Sequence, residues 1–195
     1  MKRIELNIDG EETTFNMSES WNEVTVDQAS KLFAIDRTTK NELELVVTIV
    51  SILSKVDEDI LYMMTQEQFL ELSSLISFTN EEVVSDMAEV IVIDDTEYFL
   101  KKDFEVLTLG EIISIETIMK QSQNNLGESM SKLLCIFLRK KKANGKLESF
   151  KNDFMERETI FNQAIITDVN NIFLFFSDGS NLSKNNMKDY LENQK

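Results

Sequence analysis

Two short apolar runs, Val90–Ile93 and Tyr98–Leu100, flank the turn residues Asp94-Asp95, and a helix start follows at Thr108. Runs this short, bounded by turn formers, read as a β-hairpin feeding a helix. The N-terminus has the same layout. Ile4, Leu6 and Ile8 alternate with polar residues, and Asp9-Gly10 supplies the positive φ that a tight turn needs. Thr13-Thr14-Phe15 returns, and Trp21 leads into a helix. A layout written twice in 195 residues limits the possible folds more than any compositional figure. It predicts an internally duplicated β-hairpin plus helices, with a first repeat over 1–80, a second over 88–180 and a polar C-terminal tail over 181–195. The acidic, weakly apolar stretch 80–87 is the expected boundary.

Helix starts are marked by the S/T-x-x-E/Q pattern, in which a hydroxyl and the third side chain satisfy each other's exposed amides. Thr25-Val-Asp-Gln28, Thr39-Lys-Asn-Glu42, Thr65-Gln-Glu-Gln68 and Thr108-Leu-Gly-Glu111 all fit it. Asp57-Glu58-Asp59 puts acids where the dipole of a new helical turn favours them. Leu43, Val46, Val47, Ile49, Val50 and Leu53 form a stripe too wide for a helix with one wet face, and Ser129–Leu138 answers it in the second repeat. The long helices over 39–55 and 125–141 are therefore expected at the centre of one pseudo-symmetric helical domain, since each repeat alone would bury little. The fold class is mainly α (α+β).

Charge narrows the partners. With 20 basic against 35 acidic residues, net −15, the chain repels phosphate backbones and anionic bilayers, so no nucleic acid and no membrane is expected. The longest apolar run, 45–53, is far short of the ~20 residues that cross a bilayer. The N-terminus lacks the apolar stretch of a secretory signal. Histidine and proline are absent, and the single cysteine, Cys135, sits in an apolar run and reads as a small buried hydrophobe. Without histidine no Cys-His nucleophile exists, and five glycines form no phosphate-binding loop. Asp57-Glu58-Asp59 lacks the glycine and terminal glutamate of a calcium loop. No cofactor, no metal and no enzymatic activity is expected.

Contact candidates are few. Arg139, Lys140, Lys141, Lys142 and Lys146 fall in a segment present only in the second repeat. Cations of this kind also complement the C-terminus of a helix, with Asn144-Gly145 as its stop signal, and that reading is favoured for them as a group. Phe175 and Phe176 end an apolar run that either fills the core or anchors a partner. Trp21 reads as a staple between the first hairpin and its helix. Hairpin edges offer unpaired amides for strand addition by a neighbour.

The motifs Trp21-x-x-Val-Thr-x-x-Gln28, Ile52-Leu-Ser-Lys-Val-Asp57 and Tyr98-x-x-Lys-x-x-Phe-x-x-Leu-Thr108 resemble small helical virion and tail-assembly proteins of tailed bacteriophages, in particular ring and tail proteins of crAss-like phages. The resemblance spans both repeats and carries no catalytic residue. It implies a non-enzymatic subunit of the portal–tail region, found in the virion and in the host cytoplasm during assembly. Its partners would be portal, ring or tail subunits and further copies of itself. The alternative is a cytoplasmic tail-assembly chaperone or an acidic binding or inhibitor protein.

Overall fold

The computed structural model describes residues 1–8, 11–84, 89–101, 107–122, 125–151, 153–170 and 172–173. The architecture is mixed α+β with two small antiparallel sheets. Strands β1 (Lys2–Ile8) and β2 (Glu11–Met17) form the first, in a register that pairs Ile4 with Phe15. Alternation puts Ile4, Leu6, Phe15 and Met17 inward, against helix α2 (Glu42–Ser54). The second hairpin, β3 (Val90–Ile93) and β4 (Thr96–Leu100), turns through Asp94 and Asp95, both at positive φ as a two-residue turn of this hand requires. Ile91, Ile93, Tyr98 and Leu100 face the core.

Three of the four expected capping boxes start helices where the sequence places them. Thr25 caps α1 (Val26–Phe33), Thr65 caps α4 (Gln66–Leu75) and Thr108 caps α5 (Leu109–Gln121), each with both reciprocal bonds. Asp57 caps the short α3 (Glu58–Leu61). The fourth differs. Asn41, not Thr39, caps α2, pairing with Glu44, while the hydroxyl of Thr39 bonds the carbonyl of Asp36 in the preceding turn. An amide side chain two residues further on competes better for the free N–H groups once Asp36–Thr39 has closed on itself.

The central helix is α6 (Leu126–Phe137), in which 133–137 are consecutively buried. Burying Leu133, Leu134, Ile136 and Phe137 contributes on the order of 8 kcal/mol of transfer free energy. The expectation that α2 and α6 lie together at the centre is corrected: the chief helical neighbours of α6 are α1, α5 and α7 (Glu158–Phe161), and the start of α2 leaves Leu43 in water. What admits α1 is Gly127. A Cβ there would stand 3.2 Å from both the Phe33 Cβ and the Ser30 carbonyl, and the Ser30 hydroxyl donates to the Gly127 carbonyl. A side chain at 127 would require Phe33 and the Ser30 carbonyl to give by a few tenths of an ångström, so glycine suits this crossing.

Further ties join the two halves. Thr25 and Ile165 form a β-bridge, with Val26 N–H donating to the Ala164 carbonyl at 2.8 Å and Ile166 N–H to the Val24 carbonyl at 2.9 Å. Helical residues 166–170 then bury Ile166 and Val169, while the Asn170 amide donates to the Val83 carbonyl at 2.8 Å. Trp21 lies in a 3-10 turn, Trp21–Glu23, where its ring meets Phe33 and Phe78 and its indole N–H donates to the Glu81 carbonyl. It therefore fastens α1 to the chain around 78–81. Asp9-Gly10, Phe175, Phe176 and the 181–195 tail lie outside the described residues, as do residues 85–87 of the expected 80–87 boundary.

Candidate interaction site: a lysine-bearing hairpin on an open sheet

Helix α6 stops at Phe137, short of the expected 141, because the chain then joins the second sheet as β5 (Leu138–Arg139). Lys101 N–H donates to the Phe137 carbonyl, Phe99 faces Arg139 and Leu100 faces Leu138. Beyond β5 the chain reverses. Lys141 bridges Leu147, Glu148 N–H donates to the Lys140 carbonyl and Lys142 N–H to the Lys146 carbonyl. Gly145 closes the turn at φ +76, where a side chain would be strained. Residues 138–148 are thus a hairpin, and the basic run is not the last turn of a helix.

The five basic residues named from the sequence split into two groups. Arg139 is only 6% exposed and is a fold residue. Its Nε and Nη2 donate to the Ile136 carbonyl and its Nη1 to the Glu148 carbonyl, so it caps α6 as a cation near a helix C-terminus should. Arg157 joins it, donating to the Cys135 and Leu138 carbonyls at 2.8 and 3.1 Å. Arg139 also pairs with Glu111, which is fully buried and holds the Lys101 ammonium at 2.8 Å through both oxygens. The Thr108 N–H and hydroxyl complete the set at 2.6 and 2.8 Å. Burial pushes the Glu111 carboxyl up, but Lys101, Thr108 and Arg139 outweigh it and hold the group at about 2. Arg139 is therefore placed inside the fold, with donors spent on the Ile136 and Glu148 carbonyls and on Glu111, rather than on the accessible surface.

Lys140, Lys141, Lys142 and Lys146 form the second group, and all are exposed. Among the described residues none of them is paired with a carboxylate. The Lys141 ammonium stands 3.7 Å over the Phe99 ring, Lys142 reaches the Ser149 hydroxyl at 3.3 Å, and Lys140 lies 5.5 Å from the Tyr98 ring centre. Beside Phe99, on the outward face of the sheet, are Val90 and Val92, the latter 62% exposed. Among the described residues β3 pairs only with β4, so its other edge is open. The sheet therefore presents a cationic finger, a ring and two valines beside a strand edge. Sequence reasoning found the lysines but missed the hairpin; the Asn144-Gly145 turn with Leu138 and Leu147 on either side was the available signal.

Cys135 is buried and its thiol is pushed up to about 12 by burial. Among the described residues no group of three or more His, Cys, Asp or Glu side chains is placed to hold a metal, and no helix is long and apolar enough to cross a membrane. Comparisons with protein-family models, with curated proteins and with solved structures found no match.

Proposed function

We propose that the chain is a non-enzymatic structural subunit of the portal–tail region of a tailed bacteriophage, a ring, adaptor or tail protein that works by contact with neighbouring virion proteins and with copies of itself. The observation that carries this reading is the finger 138–148, whose lysines lack carboxylate partners among the described residues beside an open strand edge. Charge and strand edges recruit protein neighbours, whereas the net charge of −15 opposes nucleic acid and anionic bilayers. The resemblance of the Trp21, Ile52 and Tyr98 motifs supplies the phage setting, with the virion and the host cytoplasm as locations.

The same reading treats the halves as two copies of one unit. Its support is the shared order of hairpin, box-capped helix, long helix, four-residue helix and further helix: β1–β2, α1, α2, α3, α4 against β3–β4, α5, α6, α7 and 166–170. In the first half three residues, 55–57, separate α2 from α3. In the second, 138–157 separate α6 from α7 and contain the finger. An insertion into one copy is where a contact unique to that copy would arise.

Mass spectrometry of purified particles tests the assignment. The chain should be found at several copies per particle and should be retained by portal or tail proteins. Its absence from particles, with retention by tail proteins in lysates of infected cells, would replace this reading with that of a tail-assembly chaperone.

A further inference from the structure

We infer that the finger 138–148 docks on the α3–α4 surface of a second copy of this chain, a head-to-tail contact between two different faces. This rests on the reading of the chain as an assembly subunit and names the surfaces used. The receiving surface is built by local rules. Asp57 spends its carboxylate on the Asp59 N–H at the start of α3, which leaves Asp59 pointing outward, and Glu67, Leu70 and Glu71 fall on one face of α4 by three- and four-residue spacing. Leu70 is 59% exposed, and Tyr62 and Met63, in the turn between the helices, are 55% and 50% exposed. Among the described residues Asp59 and Glu67 have no cationic partner, and Glu71 meets only Lys2, at 3.8 Å.

The two surfaces complement each other in kind. Among the described residues the finger offers ammonium groups without carboxylate partners next to Val92 and Phe99, and the α3–α4 face offers Asp59 and Glu67, without cationic partners, next to Tyr62, Met63 and Leu70. Exposed apolar side chains rimmed by opposite charges are what a specific interface is made from. The surfaces share no element of the fold, so a contact between them is heterologous and propagates, closing into a ring when the rotation between copies allows. A second copy is favoured over a nucleic acid because the rest of the surface is strongly anionic and the contact needs apolar partners as well as charge.

The test is a charge swap in the full chain, read by sedimentation. Lys140→Glu/Lys142→Glu/Lys146→Glu leaves Lys141 on Phe99, and Asp59→Lys/Glu67→Lys/Glu71→Lys reverses the other face. All six positions are exposed, and circular dichroism confirms that each variant folds. Each variant alone should self-associate about 100-fold more weakly than the wild type or worse, and an equimolar mixture should regain association because every contact is then between opposite charges. Wild-type association that persists in both variants would overturn the docking and leave the assembly reading standing. A mixture that fails to recover would overturn it too. So would a finger that binds a short labelled DNA duplex while the wild type stays monomeric, and that result would also remove the assembly reading.

Discussion

Replacing Glu111 with Gln isolates one charge in the interior. The amide keeps the capping function, because the Thr25–Gln28 box of α1 does the same work with a glutamine. What is lost is the carboxylate between Lys101 and Arg139. The depression of the carboxyl from 4.5 to about 2 corresponds to about 3 kcal/mol of folding free energy for this fully buried side chain. Leaving a buried cation without its partner costs a similar amount, about 3–5 kcal/mol, and the carbonyls of Ile136 and Glu148 that also receive Arg139 hold the effect near the lower end. Against a total stability of about 5–15 kcal/mol this is a large fraction. The sign follows from the direction of the shift: a carboxyl that is more acidic when folded stabilises above its unfolded value and loses that contribution as pH falls through 4.5 towards 2. Urea denaturation of both proteins should thus show a gap of about 3 kcal/mol at neutral pH, unchanged down to about pH 5 and nearly closed close to pH 2. A gap below about 1 kcal/mol at neutral pH, or one that does not narrow in acid, would refute the argument that this charge is held by its neighbours.

Three further substitutions probe separate features. Among the described residues the buried hydroxyl of Thr48 has no hydrogen-bond partner, so Thr48→Val should stabilise by about 1 kcal/mol in a urea titration. Asp95 sits at φ 57, where a glycine is unstrained, and Asp95→Gly should raise the urea midpoint by about 1 kcal/mol equivalent. Gly127→Val should cost about 1–3 kcal/mol, since the Ser30 carbonyl that its Cβ meets is backbone and cannot swing away; an unchanged thermal midpoint would mean that α1 and α6 do not cross so closely.

Local rules carried most of the secondary structure. The boxes at Thr25, Thr65 and Thr108, the Asp57 cap and the Asp94-Asp95 turn each involve residues within four positions of one another, and all were legible. Features set by distant partners were not. Helix α6 ends at Phe137 because β4 offers it an edge and Glu111 draws in Arg139, neither of which is near it in the chain. The choice of α1 over α2 as its neighbour depends on Gly127 meeting Ser30, a contact across 97 residues that no periodicity encodes. At the candidate site the lysines were visible as a run, yet only the fold separates Arg139, which caps a helix, from the four that face water.

Sedimentation of the wild-type chain across concentration and ionic strength bears most directly on the reading of this molecule as an assembly subunit. The weight-average mass should climb above the 22.6 kDa of one chain as concentration rises in low salt, and should fall back as salt screens the lysine–carboxylate attraction. A mass of 22.6 kDa at every concentration and every salt would contradict it.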